Sequence, residues 1–260
     1  MIFKSGDWTH AEFPCEIIRR IPGGYMAELY LAKLKNTNHV VVVKGVSEQA
    51  EQIQKSTLVC EAGILKQLRK ESIPEFFGYY EEAERSYYIM SYHSGMDLER
   101  YMFRKHVISE ETVKEVALSV CRTLAYLHKK GIVYGDLKPS NLLLTEAGDV
   151  VLLDYGAAGY IHGEEKVPFF RGTLGYAAPE CWSEEKRQYK AGVDIFALGA
   201  TLFFLLEGSD PKEHFGKLTL TDVQKKNRWQ SVLNKCCALD TDRRYQSIAQ
   251  VYEVINKISF

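Results

Sequence analysis

Apolar residues recur along this chain in two rhythms, and the change comes about a third of the way in. From about residue 12 to 46, and again from 75 to 93, they form short runs bounded by charged or turn residues. Val40-Val41-Val42-Val43 and Tyr87-Tyr88-Ile89-Met90 are two of them, and β-branched and aromatic runs of that length read as strands. Between these stretches Leu58, Ala62 and Leu65 fall at helical spacing, which predicts one helix with an inward face. After residue 97 helices dominate. Ser109-Glu110-Glu111 opens one with a cap and an acidic first turn, Val113, Val116, Ala117, Val120, Leu124 and Leu127 form its stripe, and Lys129-Lys130-Gly131 closes it with cations and a C′ glycine. The longest apolar stretch, Ile195 to Leu206, is hydrophobic all round, the pattern of a buried central helix, and is too short to span a bilayer. The reading is α+β, with a small strand-rich part carrying one main helix and a larger helical part.

Composition narrows this little. The hydrophobic fraction of 46% supports a packed core in 260 residues, and a net charge of −1 gives no reason to expect a nucleic-acid or membrane partner. The six cysteines show no C-x-x-C pair or His-flanked spacing, so they read as reduced thiols in a cytoplasmic protein. No targeting segment precedes the first polar residues, and no repeat or linker-like tract interrupts the chain.

The chemistry concentrates in Asp136-Leu137-Lys138-Pro139-Ser140-Asn141, followed thirteen residues after Asn141 by Asp154-Tyr155-Gly156. Phosphoryl transfer needs one carboxylate to orient and deprotonate a hydroxyl, and a second carboxylate with an amide oxygen to hold a divalent cation against phosphates. Asp136 suits the first role, Asp154 and Asn141 the second. The runs Leu142-Leu143-Leu144 and Val150-Val151-Leu152-Leu153 predict a hairpin that carries these groups to one edge.

On these motifs the chain resembles a eukaryotic-type (Hanks-type) serine/threonine protein kinase over nearly its whole length. The resemblance implies a single kinase domain over 1–260 with a small lobe at about 1–92, a large lobe at about 94–260, and an active cleft between them. Lys44 resembles the lysine that neutralises ATP phosphates, Glu61 its helix partner, and Lys138 and Thr173 the groups that flank the catalytic Asp136. The nucleotide loop Ile21 to Leu31 keeps only Gly24 of the family's three glycines, with Gly23 beside it and Pro22 and Ala27 at the outer positions, which predicts a stiffer lid. Leu29, Val42 and Leu143 would line the adenine pocket, Met90 would be its gatekeeper, and the backbone of Ser91 and His93 would meet the adenine edge. Asp97 sits where the family places a ribose-binding acid. ATP with magnesium or manganese on Asn141 and Asp154 is the implied cofactor pair, and proteins phosphorylated on serine or threonine are the implied partners. Asp194 resembles the central-helix acid that accepts backbone hydrogen bonds near the catalytic loop, and Glu180 resembles the partner of Arg244. The run Asp240 to Ser247 looks like the closing signature of bacterial members. Leu65, Phe76, Tyr134 and Tyr155 would form a stacked spine, with tyrosine replacing the family's usual His at 134 and Phe at 155.

Two departures bear on control. Many kinases carry an arginine before the catalytic acid to clamp a phosphate on the activation segment, and Gly135 stands there. Between Asp154 and Gly172 the only hydroxyls are those of Tyr155 and Tyr160. Both parts of the phosphate switch are missing, which predicts activity without activation-segment phosphorylation, the segment being held by Pro168, Phe169 and Phe170. Ser140, in place of the acid found in many basophilic kinases, gives no support for an arginine immediately before the acceptor. A small-molecule kinase of the aminoglycoside-phosphotransferase type is an alternative, suggested by Gly135-Asp136-Leu137, and a nucleotide-binding pseudokinase scaffold is another. Regulation is expected from a separate partner, an oligomer interface or a portion of a longer gene product.

Overall fold

β-branched and aromatic residues in the first third pair into one six-stranded sheet. Its strands are β1 (Ile2–Lys4), β2 (Cys15–Ile21), β3 (Glu28–Leu34) and β4 (Val40–Ser47), then, beyond helix α1 (Gln52–Leu65), β5 (Phe76–Glu82) and β6 (Arg85–Ser91). The spatial order is β1-β5-β6-β4-β3-β2, antiparallel throughout except for β1 beside β5. This is a computed structural model, and it describes residues 2–4, 14–22, 27–35, 37–47, 50–82, 85–105, 108–161, 172–182, 190–214 and 227–260. The predicted contributions of Gly23, Gly24, Pro168, Phe169 and Phe170 lie outside the described residues.

Successive residues of a strand face opposite sides, so the four valines of β4 serve two cores. Val41 and Val43 join Cys15, Ala32, Tyr80, Tyr87 and Ile89 in one cluster, in which Tyr80 and Tyr87 stack at 5.3 Å. Val42 and Lys44 take the other side, which α1 helps to cover through its buried Leu58, Ala62 and Leu65. These elements form a compact unit, Met1–Ser94.

Gly95–Phe260 form a second unit. It contains β7 (Gly95–Asp97), α2 (Leu98–Lys105), α3 (Glu110–Lys129), β8 (Ile132–Val133), β9 (Leu142–Thr145), β10 (Val150–Leu152), β11 (Gly159–Tyr160), α4 (Ala191–Glu207), α5 (Asn227–Cys236) and α6 (Ile248–Asn256). Ser109 caps α3 by accepting from the Thr112 amide, as its sequence predicts. The chain's most apolar stretch is α4, buried along Val193–Leu205 and packed against α3, α5 and α6. No helix among the described residues is long and apolar enough to cross a membrane. Strands β9 and β10 form the expected hairpin, with β7 added on the far side of β9, and β8 pairs with β11.

One ion pair fixes the lower part of this unit. Arg244, with its side chain only 1% exposed, places Nη1 at 2.6 Å and Nη2 at 3.2 Å from the two Glu180 oxygens. Its remaining donors go to the carbonyls of Gly192 at 2.8 Å and Ala238 at 2.9 and 3.1 Å, so the whole guanidinium fork is satisfied. Removing one partner of such a pair strands a buried charge. Arg244→Ala is therefore expected to destabilise the protein by about 3–5 kcal/mol, and Arg244→Lys to recover little, since one ammonium cannot replace the planar fork. A urea titration of the three proteins checks this, and near-equal midpoints would refute it.

Candidate active site

Asp194 begins the site, because it turns a helix of the core into a mount for a loop. It lies in the first turn of α4 with none of its surface exposed. Its Oδ2 accepts the Tyr134 amide at 2.9 Å and its Oδ1 the Gly135 amide at 2.8 Å. His128, near the end of α3, brings Nε2 to 2.8 Å from Oδ2. Sequence reasoning anticipated the backbone bonds and missed His128, whose place in the last turn of a helix already suits a helix-dipole cation. Farther along α4, Thr201 Oγ1 donates to the Leu137 carbonyl at 3.4 Å. The segment from Tyr134 to Leu137 is thus pinned to α4 at three points.

Asp136 is the centre of what this loop presents. Lys138 Nζ donates to its Oδ2 at 2.8 Å, and Thr173 Oγ1 donates to its Oδ1 at 2.8 Å. Lys138 also donates to Thr173 Oγ1 at 2.7 Å, which closes a triangle. Asn141 supplies a fourth tie: its Nδ2 donates to the Asp136 carbonyl at 2.9 Å and to Oδ2 at 3.2 Å. The Lys138 and Asp136 side chains remain 23% and 16% exposed, so the carboxylate is steered but still reachable.

With its amide nitrogen spent on Asp136, Asn141 keeps Oδ1 as an oxygen donor. Its carbonyl accepts the Leu153 amide at 2.9 Å, which brings Asp154 alongside. Asp154 is exposed and holds a left-handed backbone, φ +53°, steadied by the Gly156 amide on its Oδ1 at 3.2 Å. Two hard oxygen donors at one end of a hairpin suit a divalent cation that completes its shell with phosphate oxygens and water. Among the described residues no three His, Cys, Asp or Glu side chains gather into a cage of their own.

Tyr134 and Tyr155 meet edge to face, their ring centroids 5.2 Å apart, and Tyr134 donates its hydroxyl to the Leu153 carbonyl. Burial raises the Tyr134 pKa well above its usual value, with the nearby Tyr155, Asp154 and Asp136 adding to the effect, so it stays a neutral donor. Gly135 has φ +82°, and a Cβ there would come within 2.5 Å of the Ala157 carbonyl oxygen. Glycine is needed on both counts: only it adopts that backbone cheaply, and only it leaves room for the start of the segment after Asp154.

The other predicted residues belong to the first unit. Strand register sets Leu29 opposite Lys44 and Val42 opposite Met90, and Val42 and Lys44 are two apart, so all four share one face of the sheet. Glu61 of α1 reaches that face, with its oxygens 2.8 Å from Lys44 Nζ. Both residues are buried. The Ser91 amide is committed to the Glu75 carbonyl at 2.9 Å, and Ser91 Oγ lies 2.9 Å from His93 Nε2. In the second unit Asp97 pairs across the ladder with Leu143. Its carboxylate accepts the Arg100 amide at 2.8 Å and the Arg100 guanidinium at 3.2 Å, so it starts α2.

A loop acid held by a lysine and a threonine, an amide and a second acid placed for a cation, and a separate buried Lys–Glu pair define a phosphotransferase. The family model described as protein kinase domain matches residues 15–258, and the chain belongs to the protein kinase family. It is 31% identical over 208 residues to serine/threonine-protein kinase Aurora-1 of Arabidopsis thaliana, an alignment covering 79% of this chain and 69% of that protein. An Aurora kinase of Schizosaccharomyces pombe is 29% identical over 200 residues, 76% of this chain and 56% of that one. Serine/threonine-protein kinase ULK3 of Homo sapiens is 28% identical over 221 residues, 84% of this chain and 46% of its own length. The chain therefore spans only about half of some of these relatives. Membership makes it an enzyme of the protein-serine/threonine kinase class, using ATP and a divalent metal.

Restoring the family's arginine should fail for a geometric reason. Gly135→Arg and Gly135→Ala are both expected to lose about 2 kcal/mol or more from the left-handed backbone alone, with the Ala157 contact adding to it. Thermal midpoints lowered by about 4–8 °C in both variants would agree, and an unchanged midpoint in either would show that the loop moves aside at no cost.

Proposed function

We propose that this serine/threonine kinase transfers the γ-phosphate of ATP to hydroxyls of protein substrates with no phosphate on its own activation segment. The observation that carries the second half is the closeness of Gly135 to Ala157, where a Cβ at 135 would come within 2.5 Å of the Ala157 carbonyl oxygen; this supports a catalytic loop and segment start held close by backbone where other kinases use an arginine and a phosphate. Further support comes from Thr173, already bonded to both Asp136 and Lys138.

In this reading Asp136 aligns the acceptor hydroxyl and takes its proton as the oxygen bonds to the γ-phosphorus. The bond to the β,γ-bridging oxygen breaks, and ADP leaves with the electron pair. Lys138 sets its charge against the transferring phosphoryl group, and Lys44, oriented by Glu61, does the same for the phosphates of the nucleotide. Magnesium or manganese, held by Asn141 and Asp154, would neutralise charge developing on the phosphate oxygens. The Leu29, Val42 and Met90 face of the first unit is the candidate adenine contact. Asp97 is the weaker assignment, because its carboxylate is already engaged by Arg100. Six free cysteines, five of them buried, fit a reducing compartment, and we place the protein in the cytoplasm.

The test is transfer of labelled γ-phosphate to a general protein substrate by protein first treated with phosphatase. Treated and untreated enzyme should agree within twofold in initial rate, and Asp136→Ala should lose about 10²–10⁴-fold. The product should be phosphoserine or phosphothreonine. A treated enzyme that has lost most of its rate, and regains it as phosphate returns to Tyr155 or Tyr160, would overturn the independence from phosphorylation.

A further inference from the structure

Beside Asp136 the second unit opens into a groove of about 880 Å³, and Lys138 and Thr173, the two residues that hold the Asp136 carboxylate, form one wall of it. That volume lies at the upper end of what a small ligand fills, about 300–1,000 Å³, and it admits several residues of extended peptide. The far wall is the turn after α4. Gly175 joins the two sides, for a Cβ on it would come within 2.6 Å of the Lys212 nitrogen.

The lining is not uniform. Met102, Tyr176 and Phe204 make a floor, each less than 10% exposed. Phe103 and Leu174 stand on the rim at 72% and 52% exposure, two of the most exposed large apolar side chains among the described residues. Apolar side chains left in water next to a reacting group mark a surface that something covers. The charges sort unequally as well. Asp210 is neutralised by Lys212 at 2.8 Å, and Lys138 by Asp136. Glu99, in the first turn of α2 and half-buried, has no cation bound to it among the described residues. Burial raises the Tyr176 pKa, with the charges of Asp210 and Glu99 adding to the effect.

Given that this chain phosphorylates protein hydroxyls, we propose that the groove selects substrates with a bulky apolar residue at one side of the acceptor and a lysine or arginine farther along the same segment. The apolar side chain sits on Met102, Tyr176 and Phe204 between Phe103 and Leu174, and the cation meets Glu99. The occupant is a segment of the protein substrate because the groove is continuous with the residues that hold Asp136. Glu99 has no cation bound to it among the described residues, so the matching segment is basic there.

Peptide arrays with one serine acceptor test this, each neighbouring position being varied through Leu, Ala, Arg and Glu and read as kcat/KM. Leu over Ala at one fixed position should give about tenfold, the value for burying a few carbon atoms. Arg over Glu at a second position should give about threefold or more and shrink at high salt. Phe103→Ser should cut the first ratio and leave the second, and Glu99→Gln should do the reverse. Ratios within one preparation cancel any loss of folded enzyme. A flat array alongside normal transfer to a general protein substrate would overturn the selection and leave the kinase reading standing, and so would ratios unchanged in both variants. No transfer to any peptide or protein would overturn the kinase reading, and the selection with it.

Discussion

A single buried carboxylate organises the catalytic half of this molecule. Asp194 is fully removed from solvent, and an ion in that position persists only where hydrogen bonds replace its water. It receives two consecutive backbone amides and a histidine. The amides of Tyr134 and Gly135 need it in turn. The loop from Tyr134 to Leu137 lies between β8 and a short 3-10 turn, so the ladder that satisfies a strand does not reach it. Each side of the contact would be costly to bury without the other, which makes the arrangement specific as well as stable. Because α4 is apolar on every side and packed by three other helices, its position is fixed by close packing, and Asp194 passes that position to the loop. Asp136 is the next residue after Gly135 and needs only its own ties to Lys138, Asn141 and Thr173 to be placed.

The same economy accounts for the second acid. Asp154 is placed by backbone and not by side-chain packing: the Leu153 amide binds Asn141, the Leu153 carbonyl binds Tyr134, and the left-handed turn at Asp154 then lifts its carboxylate into solvent. Tyr134 is therefore a junction. Its amide reaches Asp194 and its hydroxyl reaches the strand end that carries Asp154, so one residue relates both acids to one helix. A phenol suits that task because it spans a ring's length and remains a donor at all ordinary pH values once buried.

Much of this was legible before any coordinates. Periodicity gave one helix through Leu58, Ala62 and Leu65 and another from Ser109 to the Lys129-Lys130-Gly131 close, all-round apolarity gave the buried helix at Ile195 to Leu206, and the runs at 142–144 and 150–153 gave the hairpin, because those elements bury continuous stripes or runs that local sequence alone determines. Asp136, Asn141 and Asp154 came from the needs of phosphoryl transfer, and Lys44, Glu61 and the Glu180 and Arg244 pairing came through resemblance. What escaped depends on contacts distant in sequence. His128 and Asp194 are 66 residues apart, and nothing in Leu127-His128-Lys129 distinguishes a ligand of a buried acid from a helix-end cation. Strand β1 is three residues long and has no alternation to detect. Asp97 was legible in another way: an acid three residues before the amide it binds is a local cap signal, and it competes with the ribose role. Gly135 was noticed for the arginine it lacks, whereas the structure gives it a positive reason, a backbone angle and a neighbour that exclude any side chain.

That last distinction has a consequence for control. An arginine and a phosphate attract through charge, so a kinase and a phosphatase can make and break the contact, and its strength changes with salt. Backbone packed against backbone has no such handle. The Ala157 carbonyl oxygen lies within 2.5 Å of where a Cβ on Gly135 would go, so a side chain there would require one of the two to shift. Under the function proposed above, input to this enzyme acts elsewhere. Two charged features stand out among the described residues: the buried Lys44 and Glu61 pair, 2.8 Å apart, and Glu99 on the lining of the groove beside Asp136. The first would regulate catalysis, because separating a buried pair leaves both charges uncompensated. The second would regulate only which segments are accepted, because Glu99 remains partly in water whether or not a cation is present.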